Sequence, residues 1–166
     1  MTEPSSDLVV LVPDRNMEAA VAGLLARPQA LRIQPVRVET YVHPERDPGC
    51  LNRAHEFLRP WSRRVAHAMV LFDRHGCGHE REPREALEHV VTDRLAAAGW
   101  DDRAEVIVLD PELEVWVWSD SPHVAACLGW REGSQDLRAW LQTQELWPEG
   151  HTKPPDPKAA TERALR

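Results

Sequence analysis

Acidic residues follow three short apolar runs in this chain. Residues 8–12 (LVVLV) lead to Asp14 and Glu18, residues 68–72 (AMVLF) to Asp73, and residues 106–109 (VIVL) to Asp110, Glu112 and Glu114. Runs of this length without polar alternation fit strands buried on both faces of a parallel sheet. Such sheets bind ligands outside the carboxyl ends of their strands. Three acidic clusters at three strand ends are therefore expected to meet in one crevice. Converging carboxylates repel one another unless a cation stands between them, and an all-oxygen shell suits Mg²⁺ or Mn²⁺.

Each candidate also has a plainer reading. Glu18 falls in the first turn of the helix after the first strand, where the helix dipole favours an anion with no chemistry attached. Asp73 ends an apolar run, where a carboxylate needs a partner; capping the next loop would satisfy it as well as a metal. His75 points to the same side as Asp73 if the chain stays extended. His75, Cys77 and His79 form an H-x-C-x-H set, which makes zinc a rival cation. Structural zinc sites use four ligands, and the fourth would have to come from Cys50 or His43 on another loop. The two glycines of this loop, Gly76 and Gly78, predict a mobile, metal-free segment. The segment 110–118 (DPELEVWVW) is the most distinctive. If extended, it puts Glu112 and Glu114 on one face with Trp116 and Trp118 beneath. If helical, it crowds the same acids at a helix start behind Pro111. The chain has no Walker A loop, G-x-G-x-x-G or G-x-S-x-G motif, so P-loop nucleotide hydrolysis and serine-hydrolase chemistry have no support.

Composition sets the frame for these residues. At 166 residues and a net charge of −7, the chain is long enough for a real core and lacks the basic balance of a typical DNA-binding module. A nuclease is still compatible, because bound metal would offset the acids locally. No apolar stretch approaches the roughly 20 residues a membrane helix needs, and the start of the chain lacks the basic and apolar regions of a signal peptide. The three cysteines, Cys50, Cys77 and Cys127, are odd in number and widely spaced. They are expected to be reduced thiols in a cytoplasmic protein. Six of the seven tryptophans, Trp100, Trp116, Trp118, Trp130, Trp140 and Trp147, lie in the C-terminal half. Core packing is the simpler role for them, with base stacking as the alternative.

The elements that must position the acids follow from periodicity. Strands are expected at 8–12, 35–42, 67–73 and 104–109, and helices at 17–26 capped by Asn16, at 51–64 with a break near Pro60, and at 83–98 closed by Gly99. Residues 43–49 read as a polar loop. Short helices are expected from Ser121-Pro122 to Leu128, from a Ser134 cap through Leu141, and from Asp156-Pro157 onward. Strand and helix alternate, which predicts an α/β layered fold with a central, mostly parallel sheet flanked by helices. One domain is expected over residues 1–150, followed by a loop and helix over 151–166.

Three segments together carry a family resemblance. They are the strand followed by Asp14-x-x-x-Glu18, the strand ending in Asp73-x-His75-Gly76-x-Gly78, and Pro111-Glu112-Leu113-Glu114-x-Trp116. In order and spacing they resemble toprim-like proteins of bacterial genomic islands, and within that group a small component of the methylation-associated defence system. The resemblance implies a toprim-like, Rossmann-like fold and a Mg²⁺- or Mn²⁺-dependent phosphodiesterase acting on nucleic acid in anti-phage defence. It implies Asp14, Asp73 and Glu114 as metal ligands. It implies Glu18, His75 and Glu112 as the residues that act on the attacking water or complete the acidic set. His75 stands where the family has a second acid, and imidazole is a poorer Mg²⁺ ligand than carboxylate. That departure points to a site more tolerant of Mn²⁺, or to an inactive one. The alternative is a non-catalytic, partner-binding subunit of a defence complex. In either case the implied partners are nucleic acid and other defence proteins, not a membrane, with room for a homo-oligomer.

Overall fold

The continuous apolar runs form strands, because only a site covered on both faces can take them. In chain order the first elements are β1 (Ser6–Val12), helix α1 (Arg15–Leu25), the one-turn α2 (Pro28–Leu31), β2 (Val38–Val42), α3 (Arg46–Leu58) and a 3₁₀ turn Arg59–Trp61. Then come β3 (Val65–Asp73), α4 (Arg84–Leu95), a π turn Ala96–Trp100 and β4 (Ala104–Leu109). A second 3₁₀ turn, Leu113–Trp116, is followed by α5 (His123–Cys127), α6 (Leu137–Thr143) and α7 (Pro157–Ala164). This is a computed structural model, and it describes residues 6–131 and 136–165. The chain divides into two compact units, Met1–Leu109 and Asp110–Arg166. That division falls at Leu109/Asp110, whereas the sequence expectation drew its boundary at residue 150.

The first unit holds one four-stranded, all-parallel sheet in the order β2-β1-β3-β4, the α/β layered architecture that strand–helix alternation predicted. The register sets Val10 opposite Thr40 on one side and Met69 on the other, and Val70 opposite Val106. One face carries a single hydrophobic core. Val9, Leu11, Val70, Phe72 and Val108 pack with Leu51, Ala54 and Leu58 of α3 and Leu87, Val91 and Leu95 of α4. The connection from β1 runs to β2 and those from β2 and β3 run the other way. Right-handed crossovers therefore place α1 on the face opposite α3 and α4; α1 contacts β1 and β2 and buries Met17 and Val21. Arg103 staples the far end of this unit. Its guanidinium donates to the carbonyls of Ser62, Val65, Ala66 and Gly99 at 2.8–3.2 Å and lies over the Trp100 ring.

Several boundaries differ from the sequence expectation. Asp14, not Asn16, caps α1, because its side chain reaches the Met17 N–H. Pro28 does not simply end a helix; it opens the short α2, since proline at a first helical position loses no hydrogen bond. The expected polar loop 43–49 is largely the first turn of α3, which begins at Arg46 and carries Pro48 where a missing N–H costs nothing.

The second unit is built on indole rings rather than strands. Trp118, Leu137, Leu141, Trp147, Ala160 and Ala164 form its core. Trp118 and Trp147 meet edge to face at 5.4 Å, and the Trp118 Nε1–H donates to the Pro157 carbonyl at 3.0 Å. Packing is therefore the observed role of these two rings. Asp136 and Asp156 cap α6 and α7 by accepting the Ala139 and Ala159 N–H groups. The Ser134 cap expected before α6 lies outside the described residues. Among the described residues, no helix is long and apolar enough to cross a membrane.

Candidate functional site

The strand order fixes where a ligand of the first unit would sit. Chain connections diverge between β1 and β3, one leading out to β2 and the other to β4, so the topological switch point lies between the carboxyl ends of these two strands. Asp14 stands just past β1 and Asp73 is the last residue of β3. Two of the three metal ligands expected from the sequence therefore share this end of the sheet.

Asp14 is already at work there. Its Oδ1 accepts the Met17 N–H at 2.9 Å, and its Oδ2 faces the Arg46 guanidinium at 3.5 Å. The Arg46 side chain is 70% exposed, so this pair is a weak, solvent-screened contact. The Arg46 backbone sits at φ 55°, a left-handed conformation that costs a non-glycine residue about 1–2 kcal/mol. The β2–α3 connection is thus held in a strained form where it reaches the switch point.

That connection brings a carboxylate which motif reasoning missed. Asp47, in the first turn of α3, accepts the Asp73 N–H on its Oδ1 at 2.8 Å. Burial pushes its carboxyl above the ordinary value, and the nearby Asp14 charge pushes the same way. The signal in the sequence was weak: an acid ahead of a proline and a glycine, which looks like loop. Beside it, His43 is buried, and its Nδ1 accepts the Glu45 N–H at 3.0 Å. That bond places the imidazole proton on Nε2. Burial holds the ring below its usual pKa, so it is neutral. Gly49 lies against this ring; a Cβ there would come within 2.1 Å of His43 Nδ1.

Glu18 is in the first turn of α1 and pairs with Arg15 at 2.6 Å, as helix-end electrostatics alone would have it. His75 is exposed on the loop after β3. That loop is internally tied rather than loose. The Glu80 carboxylate accepts the N–H groups of Gly76 and Gly78 at 3.0 and 3.2 Å, and Arg74 donates to the carbonyls of Glu80 and Glu82. Both glycines take φ near +90°, which lets their N–H groups converge. Cys77 turns into the core while His75 and His79 face outward, so the H-x-C-x-H set does not converge on one point. Glu112 and Glu114 belong to the second unit. Glu112 is buried and extended and precedes the 3₁₀ turn that contains Glu114. The extended arrangement with both acids on one face is therefore not formed.

Among the described residues, no three His, Cys, Asp or Glu side chains stand where together they could hold a metal ion. The donors at the switch point are all oxygens and suit a hard cation chemically, but Asp14 is turned toward Arg46 and its helix. A cleft of about 250 Å³ in the second unit is edged by Asp120, Asp136 and Arg138. Two of these charges have internal partners: Asp136 caps α6, and Arg138 stacks on Trp147 and donates to the His151 carbonyl. Comparison with protein-family models, with curated proteins and with solved structures found no match, so the site is read from its own chemistry.

Proposed function

We propose that this protein is a toprim-like, metal-dependent phosphodiesterase acting on nucleic acid in bacterial anti-phage defence. The observation that carries the reading is that Asp14 follows β1 and Asp73 ends β3, at the carboxyl ends of the two strands that flank the switch point, where parallel α/β sheets bind their ligands. Asp14 and Asp73 are the residues that would hold Mg²⁺ or Mn²⁺ in the first unit. The ion would polarise a phosphate and acidify a water. Arg46 releases Asp14 at little cost because it is solvent-exposed, and it leaves a cation beside an anionic substrate. His75, exposed two residues beyond Asp73, would orient or deprotonate water. The roles of Glu18, Glu112 and Glu114 rest on the family resemblance.

The test is thermal stability against Mn²⁺, followed by cleavage of DNA and RNA. A ligand that binds only the native state at a hundredfold above its Kd stabilises by about 2.7 kcal/mol. The wild type is expected to show such a rise and Asp73→Asn to lose it. A wild-type melting curve indifferent to Mn²⁺, with no cleavage in either metal, defeats the reading.

A second reading has its own support. Leu24, Leu31, Ile33 and Val36, along α1 and the approach to β2, are exposed, and Asp14 is already engaged. Both facts favour a non-catalytic subunit that binds a protein partner. Defence in the full gene cluster that survives Asp73→Ala would favour it over the enzyme.

A further inference from the structure

We infer that the loop at residues 76–78 is a phosphate-binding nest, filled by the chain's own Glu80 carboxylate until a phosphate group displaces it. The loop lies between β3 and α4, past the carboxyl end of a central strand, on the edge where parallel sheets take their ligands. Gly76 and Gly78 stand at φ 89° and 88°, a left-handed backbone that glycine alone adopts without strain. Backbone N–H groups arranged this way form a concavity that binds anions. Here the anion is internal. A single oxygen, Glu80 Oε1, accepts the Gly76 N–H at 3.0 Å and the Gly78 N–H at 3.2 Å. The N–H groups of Glu80 itself, Gly78 and Gly76 hold that carboxyl below its ordinary pKa, and His75 favours its charge as well. The nest thus already stabilises a negative charge.

Two features make the carboxylate replaceable. Glu80 is exposed, and a Cβ built on either glycine would meet no atom within 4 Å, so the mouth of the nest opens to solvent. Bonds outside the Glu80 side chain also shape the loop. The Arg74 N–H donates to the Leu109 carbonyl at 2.8 Å, and its guanidinium donates to the carbonyls of Glu80 and Glu82 at 2.6 and 3.0 Å. The Cys77 N–H donates to the Arg74 carbonyl at 3.2 Å, and the Cys77 side chain is buried in the core. The N–H groups are therefore held in place for whichever anion is present. A phosphate oxygen is an acceptor of the same charged kind as a carboxylate oxygen, and this site needs no metal ion. Free phosphates and nucleic-acid phosphates share that chemistry.

The experiment follows the Gly76 and Gly78 amides by NMR while pyrophosphate is added to wild type, Glu80→Ala and Glu80→Gln, with melting curves to report folding. A resident group that fills a site about nine-tenths of the time weakens a competitor about tenfold. Both amides are expected to shift, and Glu80→Ala to bind about tenfold more tightly than wild type. Glu80→Gln should fall between them, because its neutral oxygen holds the N–H groups less firmly. Gly78→Ala, forced against φ 88°, is expected to lose binding. A DNA strand with internal phosphodiesters only, and the same strand with a terminal phosphate, separate the sources. Shifts with the first assign the nest to a nucleic-acid backbone; shifts only with pyrophosphate and the second assign it to a terminal or free phosphate. Amides that ignore pyrophosphate and both strands in Glu80→Ala overturn the inference. So does equal affinity in wild type and Glu80→Ala, which would make Glu80 a brace of the loop and no stand-in for a ligand. Faster exchange of the Cys77 amide in Glu80→Ala would show a loosened loop, and Glu80→Gln against wild type then decides by the same criterion.

Discussion

The two units of this chain solve the packing problem in opposite ways. Met1–Leu109 buries β-branched and leucine side chains in a regular parallel ladder, whose central strands β1 and β3 are the most deeply covered. Asp110–Arg166 has no strand among its described residues and gathers short helices around Trp118 and Trp147. A ladder places residues by register, so its strand ends converge on one edge whatever their side chains are. A cluster of short helices places residues by the shapes of a few large rings. The first arrangement suits a site built from several chain segments. The second suits a surface held by a small number of anchors.

Removing such an anchor gives the largest expected effect. Trp118 is 1% exposed and donates to Pro157. Trp118→Ala is expected to cost about 4 kcal/mol, the usual range for a buried aromatic truncated to alanine. Amide exchange in α6 and α7 should accelerate accordingly, and unchanged exchange would show that the indole pair is not what holds this unit. The matching experiment in the first unit is Gly49→Ala. Its new methyl would meet the His43 ring at 2.1 and 2.4 Å, an overpacking expected to cost about 3 kcal/mol. The loss should appear in amides of β1 and β3, and a neutral result would mean that the α3 turn is more plastic than the ladder it serves.

Acid should separate the units more gently. His43 is neutral in the fold because burial lowers its pKa. The unfolded chain takes up a proton as pH falls through about 6.5, whereas the folded chain does so only at lower pH. Stability contributed by this residue is therefore full above pH 6.5 and declines as pH falls toward the folded value. Denaturant midpoints at pH 7 and 5.5 should show the decline in wild type and not in His43→Asn. The smallest effect belongs to the surface. Asp7 is held at a pKa of about 2 by hydrogen bonds from the Arg37 side chain and backbone N–H. Its carboxylate keeps its charge until pH falls through that value. In Arg37→Ala an NMR titration should find it moved up toward the ordinary carboxylate range, and a carboxyl that stays near 2 would show that the backbone N–H alone suffices.

Much of the first unit was legible because strand burial leaves a direct mark on sequence. The run at 104–109 matched β4 residue for residue, and β1 and β3 were found with ends shifted by two residues. Asp14 and Asp73 were found as residues following such runs. The first turn of α3 was not, because Pro48 and Gly49 carry loop propensity while the turn is held by His43 and by contact with β3. In the second unit the helices near α5 and α7 were visible from Ser121-Pro122 and Asp156-Pro157, whereas α6 is capped by Asp136, which the sequence reading did not single out. The 3₁₀ turn at Leu113–Trp116 was not, because an acid–apolar alternation satisfies strand and turn alike until its neighbours choose.

The sequence by itself determined that this chain builds a parallel α/β sheet, since uninterrupted apolar runs separated by helical segments have few other ways to leave water. It also determined which acids follow the strands. Only the tertiary structure decided what those acids do. Asp14 became a helix cap, because its side chain met the Met17 N–H. Glu18 became half of a surface pair. Asp47 became a neighbour of Asp73 across 26 residues of sequence. Strand burial is a property of a segment and can be read locally. A carboxylate's partner is a property of the fold, because its hydrogen bonds are set by whatever backbone the crossovers bring within about 3 Å.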